Sequence, residues 1–255
     1  MLLRPLGHAT ADEGTATGCG PGEDDPVPPP TVPFDQLAAL GPFFALLPPG
    51  EGHTPVRRLL DGEATTDAAI DLYAERLTTN RRDIAGSLLV QGWAGRLTSV
   101  FAGCAVLEHR VPDLAAANLT YRFVPGMPVE LGIIDPALMG TALGWRRLVD
   151  EHLEPLVMAV DDRCRAGRRR LWGNVAAAMA GSLGSLARAA GDLAELTAQP
   201  WAQPAELADL GEWVPTEAGP SYARRTCCNL VRVPGYSLCS DCVIDWQPRL
   251  RSNGR

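Results

Sequence analysis

The sequence predicts a mainly α (α+β) fold: a helical body, a small β-hairpin element and a loop-rich C-terminal module. Three observations predict it. Apolar residues recur every three or four positions through most of residues 60–190 and switch to alternation over residues 118–134. From residue 220 onward periodicity gives way to Arg, Pro, Gly and Cys.

In chain order, residues 1–33, including GPGEDDPVPPPTVP, are Pro-rich, Gly-rich and acidic, without apolar periodicity. Such a segment buries too little surface to offset its ordering entropy and reads as a disordered tail, with Cys19 incidental to it. The body spans residues 34–219. A helix is predicted near Thr66 with Ile70, Tyr73 and Leu77 on one face. A longer one, about Arg81–Glu108, aligns Leu89, Trp93, Leu97, Phe101 and Cys104, so Cys104 reads as a core thiol. Within residues 118–134, Leu119, Tyr121 and Phe123 alternate with polar neighbours, and Val129, Leu131 and Ile133 do so after a Pro-Gly turn; two short strands follow. Asp135-Pro136 reads as the cap and first position of a helix reaching about Cys164, bent at Pro155. His152, at helical spacing between Leu148 and Leu156, reads as a core histidine. The helix Arg169–Ala190 carries Leu171, Val175, Met179, Leu183 and Leu186 on one side, while Gly173, Ala177, Ala180, Gly181 and Gly184 keep it slim. Gly191 ends it, and Asp192 with Glu195 caps one more short helix. Residues 220–255 form the loop-rich module, expected to add little to the core.

The 255 residues suffice for one large domain, or one domain plus a small module, and 46% hydrophobic content supports a sizeable core. A formal charge of −7 argues against nucleic acid as a partner. All 23 basic residues are Arg, which GC-rich coding explains. The start, MLLRPLGHATADEG, lacks the apolar core of a signal peptide. VAAAMAGSLGSLARAA, broken by Arg188, is too short for a transmembrane segment. The expected compartment is therefore cytoplasmic, where thiols stay reduced. Against this acidic background residues 221–255 carry six Arg and two Asp, a local basic patch.

That patch contains RTCCNLVRVPGYSLCSDC, with four of the seven cysteines. Clustered thiols in a reducing compartment read as metal ligands or redox groups before disulfides. The CxxC of Cys239 and Cys242 lets two sulfurs converge on one metal. Cys227 and Cys228 are adjacent, and consecutive side chains diverge, so using both requires a bent backbone or two metals to address. A dinuclear 2Fe–2S cluster offers the second option and a single zinc does not. The turn Val233-Pro234-Gly235 returns the spacer toward the site. A 2Fe–2S centre on four thiolates is anionic, and Arg224, Arg225 and Arg232 would offset its charge. Two other readings stand beside this one: a non-enzymatic binding protein stapled by a four-cysteine zinc module, and a plain thiol cluster.

The arrangement C-C-x10-C-x2-C, preceded by Arg224-Arg225, resembles that of the FhuF-like ferric siderophore reductases. RRRLWGNVAAAMAGSLGSLARA is similar to an Arg/Leu-Trp-x-Asn helix of such proteins. The C-terminal match is complete, residues 34–220 match as a shared body, and 1–33 lie outside. The resemblance implies that Cys227, Cys228, Cys239 and Cys242 bind a 2Fe–2S cluster. It implies a cytoplasmic reductase that passes one electron to Fe(III) in a ferric siderophore, releasing Fe(II) for iron transport. The alternative within that chemistry is a 2Fe–2S electron relay or sensor. Implied partners are a ferric siderophore of hydroxamate type and an electron donor, since no Gly-rich nucleotide fingerprint is present. Peripheral contact with the inner membrane or a siderophore transporter is a further implied interaction. Trp172 and Asn174 fall off the apolar stripe and are candidates to line a cleft facing the cluster, against a simple packing role.

Overall fold

The computed structural model describes residues 31–217 and 219–246. Most of the expected tail, with Cys19, lies outside the described residues, but its last residues do pack. Thr31 bridges Ala137, and Val32 is buried.

The elements run α1 (Phe34–Ala39), β1 (Thr54–Pro55), α2 (Val56–Asp61), α3 (Glu63–Arg76), α4 (Arg82–Glu108), β2 (Val111–Pro112), β3 (Leu119–Arg122), β4 (Glu130–Ile133) and β5 (Leu138–Met139). Then follow α5 (Thr141–Leu148), a π-helical turn (Val149–Leu153), α6 (Glu154–Cys164), α7 (Arg168–Ala190), α8 (Leu193–Thr197), β6 (Gly211–Thr216) and β7 (Gly219–Arg224). The mainly α character with small sheets is as the sequence predicts.

The core is organised around α4, which is buried on nearly every side, as expected for a helix apolar all round. α7 lies along it, and small and polar side chains let the two approach. Thr98 and Ser99 both meet the Ser182 hydroxyl at 2.9 Å, and Asn174 Nδ2 donates to the carbonyl and the hydroxyl of Ser87. Arg96 of α4 is buried among carbonyls rather than carboxylates, donating to Phe43, Ala45 and Val129. Burial lowers its pKa to about 10, which leaves it charged at neutral pH and anchors the 43–45 loop. His152 is fully buried, hydrogen-bonded through Nε2 to the Leu114 carbonyl, and Cys104 is a buried core thiol pushed up to about 12 by desolvation.

β3 and β4 pair antiparallel, with Tyr121 opposite Leu131, and β1 extends this sheet beyond β3. Asp135-Pro136 does not start a helix. Asp135 Oδ1 accepts from the Ala137 amide, closing a turn, and the chain forms β5 against β2 before α5 begins at Thr141. The local cap signal is real, but strand pairing claims the next residues.

The sequence also gives no warning of the β6–β7 hairpin. Its strands are short on alternation because Pro215 and Pro220 face each other across it. The hairpin leads the chain from the body into the cysteine segment. That segment adds to the core, contrary to the expectation: Val233 is 2% exposed and packs with Leu77 and Ile84, with Leu88 and Leu230 beside them. Among the described residues, no helix is long and apolar enough to cross a membrane.

Candidate metal centre

The cysteine segment begins where β7 ends. The Arg224 amide donates to Asp241 O at 3.2 Å and the Arg225 amide to Leu210 O at 2.8 Å, fixing the approach of the chain. Asn229 takes a left-handed conformation at φ 64°, which supplies the bend that adjacent cysteines need. The spacer then turns at Val233-Pro234-Gly235-Tyr236. Pro at the second position, Gly235 at φ 88° and a Tyr236 N–Val233 O bond of 3.2 Å make this the turn type that those residues favour. The chain returns to Cys239, the Cys242 amide bonds back to Cys239 O, and a short helical turn over 243–246 ends with Trp246 Nε1 donating to Ser240 O.

This path brings Cys228 Sγ and Cys239 Sγ to 3.7 Å. Two sulfurs on one tetrahedral metal, each about 2.3 Å from it, lie about 3.8 Å apart. Cys227 Sγ accepts from the Asn229 amide at 3.3 Å. Cys228 and Cys242 are 3% exposed, and Cys227 and Cys239 are half-buried. The Cys239 thiol, helped by the Leu230 amide and Arg224, favours thiolate at Cys228, while the same bond and burial push Cys239 up. Burial raises Cys227, against the Asn229 amide, and the charges of Cys228 and Cys242 add to the rise. Among the described residues no three His, Cys, Asp or Glu side chains converge closely enough to hold one metal ion.

Of the three arginines singled out, Arg224 alone is inside. Its side chain is 1% exposed; Nη2 donates to Asn174 Oδ1 and to Gly173 O, and Nε stands 3.6 Å from Asp241 Oδ2. Nε and Nη1 have no hydrogen-bond partner, although both atoms are buried. Two orphaned donors on a buried cation beside four thiols fit an anionic sulfur-ligated group, and the all-thiol donor set fits iron–sulfur chemistry. Arg225 is exposed and 3.5 Å from Glu212, and Arg232 is exposed.

Asn174 does not line a cleft. It is fully buried between Ser87 and Arg224, so it connects α4 to the cysteine segment. Trp172 is half-buried against the main core. Between them Gly173 lies under Thr226: a Cβ there would sit 1.8 Å from Thr226 Oγ1. Sequence reasoning missed Gly173, Thr226 and Asp241 as parts of the site. Only Asp241 carried a signal, as the acid inside the CxxC loop.

Beside Cys239 opens a cavity of about 530 Å³, walled by Trp213, Tyr222, Ser240 and Asp241 and floored by α7 at Ala177, Gly181 and Gly184. Trp213 and Tyr222 stack edge-to-face across the hairpin at 5.3 Å.

A family model described as "Ferric iron reductase FhuF-like transporter" matches residues 87–211, from α4 to the first residue of β6. The match includes the Trp172–Asn174 stretch and stops short of the cysteines, so the body carries the relationship independently of them. No curated protein matches the chain. Residues 87–211 are thus similar to the FhuF-like ferric iron reductases.

Proposed function

We propose that the protein is an iron–sulfur reductase of ferric siderophores, with Cys227, Cys228, Cys239 and Cys242 holding a 2Fe–2S cluster. The observation that carries the reading is the Cys228–Cys239 sulfur pair at metal-sharing distance beside the buried Arg224, on a body similar to the ferric iron reductases. When bound, such a centre supplies single electrons at a potential set by charge, hydrogen bonds to sulfur and exposure. Fe(III) in the chelate takes one electron and becomes Fe(II), a larger ion for which hard oxygen donors have far less affinity; the freed oxygens take up protons. The electron comes from a one-electron reductant, protein or small molecule.

The chain's own contribution is placement. Asn229 and Gly235 bend the segment so that Cys228 and Cys239 meet, and Cys227 and Cys242 would complete the set of four thiols that hold the cluster. Arg224, held by Asn174 and Gly173 O, would offset the negative charge of the thiolates. Asp241 limits the excess positive charge. In this reading the protein works in the cytoplasm, where thiols stay reduced.

Protein purified without oxygen should be red-brown with two irons and two acid-labile sulfides per chain, as a 2Fe–2S centre requires. Cys227→Ser and Cys239→Ser should abolish the colour, while Cys104→Ser and Cys164→Ser retain it. After reduction, ferric hydroxamates should bleach the reduced-state signal faster than buffer does. One zinc and no colour would make the C-terminus a structural staple on a binding body. Colour without faster oxidation would make it an electron relay or sensor.

A further inference from the structure

The first described residues join the body at the β2–β5 ribbon. Thr31 bridges Ala137 in the antiparallel sense, and the Val32 amide donates to Pro136 O at 3.0 Å. Antiparallel pairing points the residues before Thr31 along Leu138 and Met139, toward the start of α5. α5 itself folds back over the ribbon, for a Cβ at Gly144 would stand 2.2 Å from Val111 and 3.8 Å from Met139. The next residue, Trp145, therefore lies close to the path that the chain takes from Thr31.

Trp145 forms part of a groove of about 350 Å³ between α5 and residues 200–206. Val149, Pro200, Trp201 and Pro204 line it as well. Phe101 stands edge-on to both indoles, at 5.8 Å from Trp145 and 6.1 Å from Trp201, and Trp145 Nε1 donates to Glu206 Oε2 at 3.1 Å. These contacts fix the two rings, while Trp201 stays only half-buried. Glu206 is engaged by the indole, and the other charged groups of the groove, Arg146 and Asp150, are exposed and opposite in sign. Two fixed indoles flanked by prolines suit an occupant that is apolar, uncharged and sparing in hydrogen bonds.

Residues 26–30 read Pro-Val-Pro-Pro-Pro. Four of the five have no amide N–H, so burying their backbone strands few donors. Such a run favours the polyproline II conformation, whose small entropy loss on docking suits it to grooves walled by aromatic rings. The reach is sufficient. Thr141, which lines the groove, lies four positions past Ala137, about 13 Å along an extended chain. Five polyproline residues span about 15 Å. We propose that residues 26–30 occupy this groove in their own chain and clasp α5 to residues 200–206. The latter stretch continues through residues 205–210 into β6, whose hairpin carries the cysteine segment, so the clasp braces the approach to it. This assignment is independent of the reductase reading.

The test is photochemical cross-linking in the full chain, with the photoreactive residue p-benzoylphenylalanine placed at Val27. Irradiation should join that position to residues 141–149 or 200–206 of the same chain, read by peptide mass mapping. Ala142→Arg fills the groove from an exposed position, and Pro28→Gly with Pro29→Gly loosens the segment without touching the body. Each change should lower the cross-link yield at least fivefold and leave the circular dichroism unchanged. Without the photoprobe, acrylamide should quench indole fluorescence more strongly in the double glycine variant than in wild type, and Trp201→Phe should remove that difference. Equal yields with and without Ala142→Arg and the glycine pair would show that the groove is not the site. Cross-links that join two chains would assign the groove to a second copy's segment and overturn the same-chain clasp. Cross-links confined to other parts of the body would overturn the proposal outright.

Discussion

Arg224 and Asn174 meet inside the protein: the guanidinium Nη2 donates to the Asn174 side-chain oxygen, and neither residue is more than 2% exposed. Because Asn174 also donates to Ser87, this one amide joins α4, α7 and the cysteine segment. Asn174→Leu removes the acceptor and leaves the Gly173 carbonyl as the one hydrogen-bond acceptor of the buried guanidinium. The expected loss is about 3 kcal/mol, the scale of a buried charge stripped of its partner. Chemical denaturation checks it, and the proposed iron–sulfur centre, once loaded, should release iron to a chelator faster in the variant than in wild type.

Arg224 should also set the potential of the proposed cluster. Arg224→Leu removes a buried positive charge that favours the more negative, reduced state. Through an effective dielectric of about 20, that loss lowers the potential by on the order of 50 mV. Arg225→Leu and Arg232→Leu should shift it far less, since solvent screens exposed charges. Redox titration of the three variants separates these outcomes; equal shifts would remove Arg224 from its special place.

Gly173 and Thr226 bring α7 and the cysteine segment into close contact. A methyl group at Gly173 would lie 1.8 Å from Thr226 Oγ1, so the two elements must separate to admit it. Gly173→Ala should cost about 1–3 kcal/mol in spite of alanine's better helix propensity. Gly181→Ala, in open space on the same helix, should instead stabilise by up to about 1 kcal/mol. Thermal unfolding of the pair tests the contrast.

His152 makes the fold acid-sensitive. Burial lowers its pKa from 6.5 to about 4, against the opposing hydrogen bond with Leu114 O. The unfolded chain therefore binds the proton at higher pH than the native state. The stability it contributes is complete above about pH 6.5 and is lost as pH falls toward 4, by about 3 kcal/mol in all. His152→Leu should flatten the pH dependence of stability in that window, measured by urea denaturation at successive pH values. An unchanged slope would place the titration elsewhere.

The helices were legible because their signals are local. Residues from Leu89 to Cys104 repeat at helical spacing, and Pro155 marks the α5–α6 irregularity wherever the chain goes next. The hairpin β6–β7 was not, because Pro215 and Pro220 break the alternation that identifies strands. It forms because Gly211 through Thr216 find partners in Gly219 through Arg224. Asn174 misled for a related reason. Polarity places a residue off an apolar stripe, but a polar side chain can go inside when partners wait there, as Ser87 and Arg224 do.

By itself, the sequence determined the mainly helical class, the four-thiol spacing and the turn at Val233-Pro234-Gly235, all of which depend on near neighbours along the chain. Only the tertiary structure decided which arginine is buried beside the cysteine segment, that Asn174 and Gly173 are joints rather than cleft residues, and that a cavity opens beside Cys239. Those depend on burial and on distances between residues far apart in sequence. Such distances arise from packing α7 against α4 and docking Val233 on Leu77 and Ile84, and no local pattern encodes them.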